Sequence, residues 1–180
     1  MAKVITFSRT FPAYHPRKGE PTYFVEKFWN SIPKLDFELI GSLNKNISEK
    51  DFNVFIESLT RNINIKKHTI RAGHRFKAGD FFSPRVWGND INHKSGKSGP
   101  YNSKQIIIGP DIEIQKIWDI EIIQGEHFFV VKIEGYKKGA SDVEILSIND
   151  GLELRDFFDW FELNLPFKGQ IICWNEDINY

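Results

Sequence analysis

The sequence predicts an α+β domain: short, mainly antiparallel strands in a barrel-like arrangement, with helices on their flanks. Three observations predict it. Alternating segments rich in β-formers lie near both ends of the chain, at residues 3–7 and 170–174. Strand-length segments separated by Gly, Pro and Asn fill much of the span between about 63 and 135. Helical periodicity is confined to three places, so the order is strand, two helices, several strands, helix, strand. A length of 180 residues suits one domain, and no repeat, low-complexity tract or linker divides the chain.

The first strand is Lys3 to Phe7, after which Pro12, Pro16, Gly19 and Pro21 impose a loop carrying Arg17 and Lys18. A helical face of Phe24, Val25, Phe28 and Trp29 follows, and Pro33 ends it because proline cannot continue a helix interior. Ser48 reads as the N-cap of a second helix, with Phe52, Phe55, Ile56 and Leu59 at helical spacing. Strand patterns then surround Ile63, Ile65 and Ile70, and Gly79-Asp80 turns the chain into an extended run from Phe81 to Trp87. Residues 88–103 form a long polar loop, a length that usually signals function or disorder. Further strands are predicted over 104–108, 112–123 and 127–135, with Gln124-Gly125-Glu126 as a hairpin turn and Glu144 to Ile148 as one more strand. The third helix is predicted to open at Asp150 and to bury Leu152, Leu154, Phe157, Phe158, Trp160 and Phe161.

Composition narrows the class. With 41% hydrophobic, 14% aromatic and 27% charged residues, the chain is globular. Its single cysteine, Cys173, cannot form an internal disulfide, which fits a reducing compartment. No segment has the apolar length of a signal peptide or a bilayer span, so a soluble, cytoplasmic protein without membrane partners is expected. Net charge is zero, yet residues 61–104 carry ten Lys/Arg against Asp80 and Asp90, whereas residues 105–180 carry six against fifteen acids. A local excess of +8 beside one of −9 predicts a positive face suited to phosphates. The alternative is that these charges scatter and neutralise one another.

Motif chemistry is sparse. There is no Walker loop, dinucleotide fingerprint, zincin helix or nucleophile elbow, and Gly96-Lys97-Ser98-Gly99 lacks the upstream glycine of a phosphate loop. Five His and one Cys show no metal-ligand spacing, so neither metal nor cofactor is predicted. His68 and His74 read as surface or hydrogen-bonding residues. The basic segment Lys66-Lys67-His68-Thr69-Ile70-Arg71 is unusual for a strand. Alternation puts Lys67, Thr69 and Arg71 on one face and Lys66, His68 and Ile70 on the other. Lysines here would also suit a solvated edge strand protected from aggregation.

The order Ile5-Thr6-Phe7, Lys66-x-x-Thr69-x-Arg71 and Gly79-Asp80, followed by strands, a helix preceded by an acid and a closing strand, resembles the ASCH family of PUA-like β-barrels. The matching parts are the first ten residues and roughly 63–175. Residues 12–62 look like a two-helix insertion within a single domain spanning 1–180. The resemblance implies an RNA, nucleobase or modified-nucleoside partner. In family members that deacetylate N4-acetylcytidine, it implies a Lys, a Thr and a Glu as catalytic residues. These positions fall on Lys66, Thr69 and Asp150, with aspartate replacing glutamate and Lys67 as a rival for the lysine. Lys66 would act as base, Thr69 or a water as nucleophile, and Asp150 as proton donor or water-orienting group, with Arg71 on the oxyanion. Asp150 has the competing reading of an N-cap, with Glu153 at capping-box spacing.

In the binding reading the same pocket holds a base without reacting. Arg71, Arg75, Arg85, Lys94 and Lys97 then meet phosphates, Lys67 borders the ligand, and Trp87 or Tyr101 stacks on a base. Trp87 could equally belong to the core. Three functions therefore remain: a nucleobase- or RNA-recognition module, an amidohydrolase, and a protein-interaction module using the inserted helices. Oligomeric state is not readable from the sequence.

Overall fold

Strand β1 (Lys3–Thr6) pairs in parallel with β3 (Phe81–Trp87), from Lys3 opposite Phe82 to Thr6 opposite Arg85. The computed structural model describes residues 2–32, 36–44, 64–126 and 128–180. Strands β4 (Gln105–Ile107) and β5 (Ile112–Glu113) complete the first sheet, each antiparallel to β3. The second sheet is antiparallel throughout. Its spatial order is β2 (His68–Ala72), β9 (Phe167–Cys173), β6 (Lys116–Gln124), β7 (Phe129–Ile133) and β8 (Tyr136–Lys137). Helices α1 (Phe24–Trp29), α2 (Phe37–Leu43), α3 (Ala140–Asn149) and α4 (Leu154–Phe161) accompany the sheets. Among the described residues this is a mixed α+β fold with two sheets, and they do not close into one hydrogen-bonded barrel.

Aromatic residues fill the space between the elements. Phe7 lies 5.1 Å from Phe28, and Trp174 packs against both Phe28 (5.4 Å) and Phe82 (5.6 Å). The apolar face of α1 is therefore spent in the core, together with Phe24, Val25 and Trp29. Strand β9 lies between β2 and β6, and its residues Gly169–Cys173 are all buried. Gly169 is there for space: a Cβ at that position would sit 2.1 Å from the Arg71 carbonyl oxygen.

Several expectations need correction. The segment 112–123 is two strands, because β5 belongs with β3 while β6 joins β9. The chain changes sheets at Ile114 and Gln115, whose N–H groups donate to Asp80 and Cys173 respectively. Residues 144–148 are helical, within α3, and are not a strand. The helix buries Val143, Leu146, Ser147 and Asn149 but also displays Ile145 and Ile148, and apolar residues on both faces blur the helical period. Asp150 does not open a helix; it ends α3, and α4 begins at Leu154 after Glu153. Strand β2 is an edge strand, but it is not solvated, since His68, Thr69 and Ile70 are buried. The helix expected from Ser48 lies outside the described residues.

Phe28→Ala is expected to lower unfolding stability by about 3–5 kcal/mol through lost burial and an unfilled cavity. Gly169→Ala is expected to cost about 1–3 kcal/mol by forcing β2 and β9 apart. Urea titration followed by circular dichroism checks both; an unchanged midpoint for Phe28→Ala would contradict the packing described.

Candidate functional site

Helix α3 ends in a glycine-terminated turn. Gly151 adopts φ +82°, its N–H donates to the Ile148 carbonyl, and the Leu152 N–H reaches back to Ser147. This is the Schellman arrangement, in which a left-handed glycine just past the cap closes the helix. Two carbonyls beyond this turn's reach are then capped by lysines. Lys66 Nζ donates to the Asp150 carbonyl oxygen, and Lys27 Nζ donates to that of Gly151 at 2.6 Å. The Lys67 N–H takes the Asn149 carbonyl at 2.8 Å. Cations suit the negative end of a helix.

Lys66 also forms an ion pair with Asp150, at 2.6 Å from Nζ to Oδ1. Lys66 is 1% exposed and its ammonium lies 4.4 Å from the centre of the Phe24 ring. Burial lowers the Lys66 pKa to about 8, against the opposing pull of Asp150. Burial likewise raises the Asp150 pKa, opposed by Lys66 and Arg71. Each partner is thus pressed towards its neutral form and held charged by the other.

A polar chain runs from this pair to the last residue. Asn149 Nδ2 donates to the Tyr180 hydroxyl oxygen at 3.0 Å, so the Tyr180 O–H is free to donate to His68 Nδ1 at 2.9 Å. The proton of neutral His68 then sits on Nε2, which lies 3.9 Å from Asp150 Oδ1 and has no hydrogen-bond partner among the described residues. Burial, and then the Lys66 charge, hold the His68 pKa well below its usual value, so the ring stays neutral. Burial raises the Tyr180 pKa, with the Asn149 hydrogen bond opposing. Of the two readings of His68, surface or hydrogen-bonding, the structure shows the second: the ring is buried and bonded to Tyr180. No local signal marks Asn149, Tyr180 or Lys27, which reach the site through tertiary contacts alone.

The other sequence-selected residues divide into groups. Thr69 is buried on β2 opposite Ile172 of β9, and Lys67 is half-buried beside Lys66. Arg71 crosses between the sheets, its Nη2 donating to the Thr6 carbonyl at 2.7 Å; burial lowers its pKa, with Asp150 opposing. Arg75 is exposed, with its guanidinium 5.3 Å from the Phe76 ring. Arg85 bonds Ser83 Oγ and Gln105 Oε1 within the first sheet. Trp87 is half-buried and its ring lies 5.4 Å from that of Tyr101, which is 91% exposed. Lys94 and Lys97 are exposed on the loop between them. Among the described residues, no hydrogen bond or ring contact joins this loop to the Lys66 centre.

One further cluster has ligand-type side chains: His15, Asp156 and Asp159 bring donor atoms within 4.8 Å of one another. The polar atoms of His15 and Asp156 are already engaged. His15 Nδ1 accepts the Arg17 N–H at 3.1 Å, so Nε2 carries the proton and faces the Asp156 carbonyl at 3.3 Å. The Arg17 guanidinium holds the Asp156 carboxylate at 2.6 Å. The arrangement is a clamp between the loop after β1 and α4.

The chain matches no protein-family model, no curated protein and no solved structure. Among the described residues, no helix is long and apolar enough to cross a membrane.

Two outcomes follow from the buried pair. Asp150→Asn leaves an uncompensated interior ammonium and is expected to cost about 3–5 kcal/mol, most of it recovered by adding Lys66→Met. Chemical unfolding of the two variants checks this, and equal stabilities would contradict it. Between pH 8 and 10.5 the folded state has released a Lys66 proton that the unfolded chain still binds. Stability from this group should therefore rise with pH across that window. The rise should be absent from the Lys66→Met/Asp150→Asn protein when both are unfolded in urea at successive pH values.

Proposed function

We propose that the chain is an ASCH/PUA-like module that recognises RNA or a nucleobase, its two sheets corresponding to the strands of a PUA-like barrel. The observation that carries the reading is the Tyr101 ring. It is 91% exposed, lies 5.4 Å from the Trp87 ring, and rises from a loop whose Lys94, Lys97 and Lys104 are also exposed. An aromatic pair displayed among cations is the equipment single-stranded nucleic acid requires, because every base has a face to stack and every linkage a charge to meet. The uneven charge along the sequence supports the same partner, since this loop belongs to the segment with the +8 excess.

The binding reading is preferred to the hydrolytic one because Lys66 and Asp150 are engaged with each other and with the end of α3. An amidohydrolase acting on N4-acetylcytidine is the second reading. One observation favours it: burial lowers the Lys66 pKa to about 8, within the range of a working general base, with Thr69 three residues along.

Single-stranded RNA should bind with an affinity that falls as salt rises. Tyr101→Ala should weaken it about 5- to 150-fold, the equivalent of about 1–3 kcal/mol of lost stacking. Replacing Lys94 and Lys97 with Gln should flatten the logarithmic salt slope by about 1.4. Fluorescence anisotropy with a labelled oligonucleotide measures all three, and an affinity indifferent to Tyr101→Ala would sink the binding surface. Turnover of N4-acetylcytidine that disappears in a folded Thr69→Val protein would instead establish the second reading.

A further inference from the structure

Residues 175–180 follow β9 and fold back over one face of the second sheet. Lys116 and His68 both lie opposite Cys173, and Trp118 is two residues from Lys116, so all four share that face. The segment forms neither helix nor strand. Glu176, Asp177 and Asn179 are exposed, Ile178 is buried and Tyr180 is half-buried.

Its fastening is concentrated in two side chains. Lys116 Nζ donates to the Glu176 carbonyl at 2.7 Å, the Ile178 carbonyl at 2.8 Å and Asn179 Oδ1 at 2.9 Å, which uses all three donors of the ammonium. The Tyr180 hydroxyl is shared between Asn149 and His68, and its ring meets those of His68 and Trp118 edge to face at 5.5 and 5.1 Å. Among the described residues, no main-chain hydrogen bond joins 175–180 to a strand. A segment with few buried contacts and no ladder bonds belongs to the low-stability end of a fold and opens ahead of the sheet beneath it.

What the segment covers is polar. His68 is fully buried, and its Nε2 finds no acceptor among the described residues. Beyond it, 3.9 Å away, is Asp150 with its partner Lys66. Cys173 is also fully buried, its Sγ–H directed to the carbonyls of Asn175 at 3.3 Å and Lys67 at 3.5 Å. A buried donor left unpaired carries its full desolvation penalty. The closed arrangement bears that penalty, and an open one, in which an acceptor oxygen reaches Nε2, recovers it.

We infer that residues 175–180 are a strap that opens as a unit while both sheets stay folded, with Lys116 as its latch and Tyr180 as its plug, and that opening admits solvent to His68 and the Lys66–Asp150 centre. Release breaks the three Lys116 bonds and the two at the Tyr180 hydroxyl, and leaves the pairing of β2, β9 and β6 intact. The strap shares no residue with the Trp87–Tyr101 surface, so its motion does not depend on the nucleic-acid reading. For the hydrolytic reading it supplies a gate, since the closed strap withholds the centre from any substrate approaching over this face.

The chain's single thiol, Cys173, reports the opening. The test is its alkylation by iodoacetamide in the full chain at rising urea concentrations below the unfolding transition, read by mass spectrometry beside amide hydrogen exchange. Expected is a labelling rate nearly flat at low urea, because strap opening exposes little surface, and steep only where global unfolding takes over. Lys116→Met should raise the flat limb at least tenfold and Tyr180→Phe severalfold, with the β2 and β9 amides still protected. Labelling that follows the global slope down to zero urea would overturn the inference, as would a flat limb that neither variant moves. Exchange of the β2 amides in step with the labelling would overturn it too, because fraying of the edge strand would then be what exposes the thiol. Should Lys116→Met not fold, Tyr180→Phe, which removes one oxygen, carries the comparison. Loss of RNA affinity in Tyr101→Ala bears on the loop surface alone, whereas the Cys173 readout bears on the strap alone.

Discussion

The ion pair between Lys66 and Asp150 is the constraint around which the rest of the molecule is arranged. A carboxylate at the C-terminal end of a helix is electrostatically misplaced, since the helix already presents partial negative charge there. Burying it adds a desolvation cost that only a close, hydrogen-bonded cation offsets. Lys66 is that cation, and it also takes the carbonyl of the same residue. To deliver it, the segment before β2 must run directly past the end of α3, and the Lys66 and Lys67 N–H groups bond Lys27 and Asn149 on the way. The ion pair and the backbone bonds beside it thereby tie together α1, β2 and α3, three elements far apart in sequence.

The same economy appears around it. His68 presents an N–H towards Asp150 without reaching it, and its other nitrogen is satisfied by the last residue, Tyr180. Arg71, three residues further along, spans to β1 in the other sheet. The short basic segment therefore supplies a helix cap, an interior histidine and an inter-sheet strut in six residues. Polar groups so committed rigidify an interior, because each left unpaired would carry its full desolvation penalty. They are also less free to do chemistry.

One surface retains that freedom. Tyr101 stands on a loop with little regular structure, where a stacking partner costs no core packing.

Much of this was legible in the residues and some was not. The strands Lys3–Thr6 and Phe81–Trp87, the helix at Phe24–Trp29 and the hairpin at Gly125 follow local pattern, because alternation, helical spacing and turn residues are properties of neighbours. The pairing of Lys66 with Asp150 was reachable only through a family resemblance, and Asp150 caps the end of α3, not the start of α4. Ile145 and Ile148 on an outer face disguised α3, and with it the element that Asp150 terminates. What the sequence by itself determined is the class of the fold, the clustering of basic charge and the aromatic loop, all of which depend on residues near one another. Only the tertiary structure decided that Lys66 is sealed, that His68 is interior and neutral, and that Arg71 reaches across to β1 in the other sheet. Burial and partnership across eighty or more positions are set by how the two sheets and the helices pack, and local pattern does not encode them.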